Sequence, residues 1–210
     1  MFDFLGKIPG KVMVGVSGNK NSMVLIDFLS RYDKEITMLH VDFEDDYSKE
    51  RIKFLKSTAK HLNVELDIIK ITKNKNIDYN QSYAKTKVLY DTFVKYSPNY
   101  IITANCLEDV IVHYIYSSIK VNPKLLSYRS KNIIRPFINI SQDDFDYWAM
   151  TKKVEYVKSE DVDKSSYWLI KKHMLDNCYR INPDLKQNIL DEVNREFKEF
   201  IFNRSKHGSD

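Results

Sequence analysis

Apolar positions along the chain follow two rhythms, one suited to buried strands and one to helices. Lys11 to Val16 (KVMVGV) is a short apolar run ending at a Ser-Gly pair, and Ser22 to Arg31 then carries apolar residues at helical spacing. Ile36 to Asp42 (ITMLHVD) predicts a second strand, Ser48 to Leu62 a helix with Ile52, Leu55 and Ala59 inward, and Glu65 to Ile71 a third strand. A polar stretch from Thr72 to Asp78 leads to a helix over Tyr83 to Tyr96. A fourth strand follows at Tyr100 to Ala104, and a helix at Glu108 to Ser118. Asn132 to Ile138 predicts a fifth strand, and Ser141 with Asp144 forms a capping box opening a helix over Asp143 to Lys152. Strands alternating with helices imply right-handed crossovers and a parallel sheet covered on both faces.

From Ser165 the pattern is all-helical, with one helix near Tyr167 to Cys178 and another from Pro183 to about Phe202. A joint at Asp161 to Ser166 divides the chain into an α/β domain, residues 1–160, and a small helical extension, residues 161–210. A length of 210 residues suits one well-filled core with such an appendage.

Composition changes this picture only by exclusion. With 43% hydrophobic and 30% charged residues the chain is far from a disordered composition. Cys106 and Cys178 lie far apart and form no CxxC pair, which argues against a disulfide framework and for a reducing compartment. No segment approaches the length of a membrane span, so a cytoplasmic protein is expected. The net charge of +4 does not by itself indicate nucleic acid. Its placement is more informative: between Asp109 and Asp143 there is no acid, while Lys120, Lys124, Arg129, Lys131 and Arg135 alternate with Tyr114, Tyr116 and Tyr128. Such a window can meet phosphates and stack bases, or it is a solvated loop whose tyrosines pack on the core.

Ligands of an open parallel sheet sit beyond the carboxyl ends of the strands, where the loop Ser17-Gly18-Asn19-Lys20-Asn21-Ser22 lies. Its small residues let backbone N–H groups approach an anion. The following helix N-terminus adds partial positive charge, and Ser17, Lys20 and Ser22 can donate to phosphate oxygens. The same stretch also reads as an ordinary strand-to-helix turn with Asn21 or Ser22 as N-cap.

Together with several later blocks, this loop resembles the SGGxDS signature of the PP-loop ATP pyrophosphatase superfamily. The tRNA(Ile)-lysidine synthetase catalytic domain is the nearest form. His40-Val41-Asp42 matches the family's H-V-D/H strand end, and Ile101 to Tyr114 (IITANCLEDVIVHY) resembles its TAxHxDDQxET block. Arg135-Pro136-Phe137 matches the RPL element, and the polar segment before Tyr167 resembles the family's D-x-x-N-x-x-x-x-Y run. The resemblance covers roughly residues 11 to 180. It implies an open, Rossmann-like sheet of the adenine nucleotide alpha hydrolase type, with ATP and magnesium as cofactors. Ser17, Gly18, Asn19, Lys20, Asn21 and Ser22 would hold phosphates, and His40 and Asp42 would flank the adenosine. Asp109, as the metal residue, and Glu108 would bind metal or the attacking amine.

The match departs at several positions, three of which bear most on function. Asn19 replaces the second glycine, Asn21 the aspartate that helps hold magnesium, and Val112 a glutamate implicated in lysine recognition. Asn19 tolerates left-handed backbone, whereas Asn21 keeps the shape of aspartate without the charge a hard cation prefers. Two functions are therefore expected. One is a lysidine synthetase-like ligase that adenylates a tRNA base, releases pyrophosphate and joins an amine such as lysine. The other is a catalytically inactive homologue that binds nucleic acid or, through its C-terminal helices, a protein partner.

Overall fold

The computed structural model describes residues 11–32, 35–71, 82–96, 100–119, 126–130, 132–157 and 166–205. Among them, in chain order, lie β1 (Lys11–Gly15), α1 (Lys20–Ser30), β2 (Glu35–Asp42), α2 (Ser48–Leu62), β3 (Glu65–Lys70), α3 (Ser82–Tyr96) and β4 (Ile101–Ile102). They are followed by α4 (Leu107–Ile119), β5 (Arg129–Ser130), β6 (Ile133–Ile134), α5 (Gln142–Lys152), α6 (Ser166–Ile181) and α7 (Leu185–Ser205). The strands form one six-stranded sheet in the order β3-β2-β1-β4-β6-β5. All neighbours are parallel except β5 and β6.

The open parallel sheet expected from the alternation is present, and its two faces are read from adjacent residues of β2. Met38 packs with Val12, Val14 and Ile36, the α1 residues Leu25 and Ile26, and Leu55 of α2. Its neighbours Leu39 and Val41 point the other way and meet Phe93 of α3 and Ile101 of β4. Every residue of β2 from Ile36 to Asp42 is buried, the continuous pattern of a strand covered on both sides.

Two strands are shorter than the sequence predicts. β4 keeps only Ile101–Ile102, and the expected strand from Asn132 to Ile138 keeps only Ile133–Ile134. Pro136 accounts for the second, since it has no N–H to give a ladder and the chain turns there. Apolar periodicity gives no sign of β5, which pairs antiparallel through Arg129 and Ser130 at the sheet edge. The capping box is present: Ser141 Oγ accepts from Asp144 N, and the Asp144 carboxylate accepts from Ser141 N at 3.1 Å.

The C-terminal helices pack on the sheet domain. Leu175 of α6 and Ile189 and Val193 of α7 belong to the same buried cluster as β1 and α1. Asn139 Nδ2 also donates to Asn194 Oδ1 at 3.0 Å. The expected joint, Asp161 to Ser166, lies outside the described residues except for Ser166, where α6 begins. Among the described residues no helix is long and apolar enough to cross a membrane.

The winding positions the site. From β1 the chain moves to β2 and β3 on one side and then crosses to β4 on the other, so the direction reverses between β1 and β4. The loops leaving these two strands open the crevice where α/β sheets bind ligands.

Candidate functional site at the β1–β4 switch point

Two glycines let β1 and its loop adopt their course. A Cβ on Gly15 would lie 2.6 Å from Phe93 Cζ, so α3 closes over the strand end only because no side chain is there. Gly18 has φ +79°, a left-handed conformation that disfavours other residues, and a Cβ there would meet Arg51 Cγ at 3.2 Å. Past Gly18 the chain enters α1 with Asn19 as N-cap, its Oδ1 accepting from Ser22 N at 3.0 Å. The cap is thus Asn19, and neither Asn21 nor Ser22 fills that place.

The loop is closely tied to itself and to α5. Ser22 Oγ donates to Asn19 O at 3.0 Å, and the hydroxyls of Ser17 and Ser22 lie 3.4 Å apart. Val157 N donates to Gly18 O at 2.9 Å, fastening the segment after α5 to the loop. Lys20 Nζ pairs with Asp146 at 2.7 Å. Asn21 and Gln142 exchange two hydrogen bonds, Asn21 Nδ2 to Gln142 Oε1 at 3.0 Å and Gln142 Nε2 to Asn21 Oδ1 at 2.9 Å. Gln142 Nε2 also donates to Asp146 Oδ1 at 3.0 Å, so one network joins both residues of α1 to α5.

The loop after β4 reaches the same network. Cys106 Sγ lies 3.7 Å from Gln142 Oε1, and Asp109 Oδ2 accepts from Cys106 N at 3.0 Å in the first turn of α4. Glu108 accepts from Gln142 N at 2.8 Å and pairs with Lys186 of α7 at 3.2 Å. An acid at the N-terminus of α5 and beside a lysine has its charge matched within the protein. Among the described residues no group of three or more His, Cys, Asp or Glu is placed to hold a metal ion.

At the end of β2, His40 Nδ1 lies 2.8 Å from Val16 O, one residue before the loop. A carbonyl can only accept, so Nδ1 carries the proton. Burial is the main reason that the imidazole pKa lies below its ordinary value, with the Val16 hydrogen bond opposing it and Arg51 reinforcing it. The ring is therefore neutral near pH 7, and its Nε2 is a buried acceptor without a hydrogen-bond partner. Asp42 is turned toward α2, accepting from Ser48 Oγ and, at 2.9 Å, from Glu44 N.

The structure thus brings Ser17 to Ser22, His40, Glu108 and Asp109 to the carboxyl end of the sheet. Asp42 serves the start of α2. Of the lysines and arginines in the basic window only Arg129 and Arg135 are among the described residues. Lys120, Lys124 and Lys131 lie outside the described residues. Arg129 folds onto Tyr100, with Nη2 donating to the phenol at 2.9 Å. Arg135 is only 3% exposed, so charge counting misplaces it as a surface contact for nucleic acid. Gln142 and Asp146 are the residues that sequence reasoning misses. Gln142 stands inside the Ser-Gln-Asp-Asp stretch, whose capping signal hides any second role.

A family model described as a PP-loop domain matches residues 4–168. The chain is 25% identical to a tRNA(Ile)-lysidine synthase of Thermosipho africanus, over 75% of this chain and 40% of that protein. It is 23% identical to one of Petrotoga mobilis, over 90% of this chain and 70% of the relative. A third, of Malacoplasma penetrans, is 26% identical over 75% of this chain and 57% of its own length. The chain thus spans less than two thirds of two of these three relatives. Among solved structures, an NH3-dependent NAD synthetase from Campylobacter jejuni superposes with a TM-score of 0.50 at 15% identity, covering 92% of this chain and 90% of that one. An NMN synthetase from Francisella tularensis gives 0.53 at 10% identity, covering 91% and 88%. These two likenesses show the fold alone.

Proposed function

Because the chain belongs to the PP-loop domain family, we propose that it acts as a divergent protein of the tRNA(Ile)-lysidine synthase type, binding ATP at the β1 loop. On this reading Ser17, Gly18, Asn19, Lys20, Asn21 and Ser22 hold the phosphates, with α1 directing its N-terminus at them. His40 and Asp42 border the adenosine, where the bare Nε2 of His40 can accept from an amino group. ATP supplies an adenylyl group that activates a carbonyl-like carbon of a tRNA base; pyrophosphate leaves, and an amine such as lysine displaces AMP. Magnesium would arrive with the triphosphate and find Asp109 as its carboxylate contact. Arg129 and the segment bearing Lys120, Lys124 and Lys131 would meet tRNA phosphates.

One observation carries this reading. A left-handed Gly18, two hydroxyls 3.4 Å apart and a helix N-terminus coincide at the switch point of a parallel sheet. Small hydroxyl residues and backbone amides at such a place are suited to an anion.

The Asn21–Gln142 pair favours a second reading. An amide stands where a metal-binding carboxylate is expected and is already occupied, and Lys20 is held by Asp146. These restraints suit a catalytically inactive homologue that serves as a nucleic-acid- or protein-binding subunit, the latter through α6 and α7.

Pyrophosphate release with ATP, magnesium, lysine and bulk tRNA separates the two. tRNA-dependent release that disappears in Ser22→Ala upholds the ligase. A silent wild type beside an Asn21→Asp variant that gains ATP binding defeats it and supports the second reading.

A further inference from the structure

Arg135 follows β6 at the carboxyl edge of the sheet and is almost wholly enclosed. Its Nη1 donates to Ser127 O at 3.0 Å, and its guanidinium carbon lies 5.4 Å from the centroid of the Tyr90 ring on α3. Nε is buried without a partner, and no carboxylate among the described residues pairs with the group. An arginine cannot shed its proton to escape this situation, and enclosing an unmatched charge is strongly unfavourable. The ring of Tyr90 offsets part of that cost, as a cation over an aromatic face does. Among the described residues Nε has no acceptor and no bond is formed by Nη2, which together make one edge of the planar fork.

The surroundings agree with an unfilled charge. The Tyr90 hydroxyl donates to Asn105 Oδ1 at 3.3 Å, and Thr103 Oγ1 donates to the same atom at 2.8 Å, so the nearby polar groups are spent on one another. His113 on α4, though exposed, has its pKa lowered by partial burial and then by the Arg135 charge.

We infer that the Nε–Nη2 edge of Arg135 is a binding site for an oxyanion group of a ligand, a carboxylate or a phosphate. Two parallel N–H donors on a rigid plane match two oxygens of either group. The site is distinct from the β1 loop. β6 stands two places from β1 in the sheet, roughly 10 Å away at ordinary strand spacing, so one small anion cannot serve both. The inference does not depend on whether the loop binds ATP.

Proton–nitrogen correlation spectra of the full chain, tuned to arginine Nε–H groups, test it. The Arg135 signal is assigned by its loss in Arg135→Lys and, independently in wild type, by its through-space contact with the Tyr90 ring. Sodium acetate and inorganic phosphate are titrated at fixed ionic strength against sodium chloride, with Arg129 Nε–H as reference. The expected result is a saturable downfield shift of the Arg135 signal that chloride does not produce. A response to acetate alone assigns a carboxylate, to phosphate alone a phosphate, and to both a general oxyanion site. The shift should persist in Ser22→Ala, which separates it from the loop. A signal that stays put, or that moves equally with chloride, overturns the inference.

Discussion

The Asn21–Gln142 pair should be measurable as a coupling energy between α1 and α5. Its two hydrogen bonds, at 3.0 and 2.9 Å, are partly buried and join side chains 121 residues apart in the sequence. A neutral hydrogen bond contributes a net ~0.5–1.5 kcal/mol, so two in a half-solvated place should couple by about 1–2 kcal/mol. Single substitutions would blur this. Asn21→Ala gains helix propensity, and Gln142→Ala also loses the bond to Asp146. A double-mutant cycle over Asn21→Ala and Gln142→Ala cancels both effects, because each occurs once in the single and once in the double variant. Urea unfolding gives the four stabilities, provided that the slope with denaturant stays constant. For a chain of this size each kcal/mol corresponds to roughly 2–4 °C in Tm, so calorimetry can confirm the values. If the two losses add to within about 0.3 kcal/mol, the pair does not fasten α1 to α5 and the case for a latched loop fails.

Gly18→Ala should cost about 1–2 kcal/mol in the same assay, because alanine must adopt φ +79° with its Cβ against Arg51; an unchanged midpoint would mean that the loop relaxes freely. His40 should make stability fall in acid. Its folded pKa lies below the unfolded value of about 6.5, so its contribution is complete above that pH. It declines as the unfolded state protonates first and is lost as pH falls through the folded pKa. His40→Gln should flatten that part of the profile, and an identical pH dependence in the variant would refute the assignment. Ile189→Ala should cost about 2–5 kcal/mol in a single cooperative transition, since this α7 residue is 5% exposed in the main core; a separate early transition would show that the helical extension unfolds alone.

The winding of the sheet is legible in the chain because β1, β2 and β3 are long enough to carry a period and each is followed by a helical one. β4, β5 and β6 are two residues each, too short to show any period; β4 and β6 are legible only as short apolar runs whose ends the sequence overextends. The loop is legible by its position after β1 and by its likeness to the SGGxDS signature. Its partners were not, because Gln142 and Asp146 stand 121 and 126 residues beyond Asn21 and Lys20 and carry no pattern linking them. Arg135 shows the reverse failure. A count of Lys and Arg treats every cation as solvated, and nothing in the letters separates an enclosed guanidinium over Tyr90 from its neighbours.

The brief strand β5 has a consequence for how the protein behaves among its own copies. A parallel sheet that ended on a long, straight β6 would offer a row of unpaired amides and carbonyls to another chain. Here the outermost position holds two residues that run the opposite way, and one of them, Arg129, is folded back on Tyr100. Short, charged borders of this kind give a stranger little to extend. Arg129, which sequence reading assigns to attracting nucleic acid, thus also discourages ribbon-like self-association, and its loss should first be noticed as precipitation in concentrated solution.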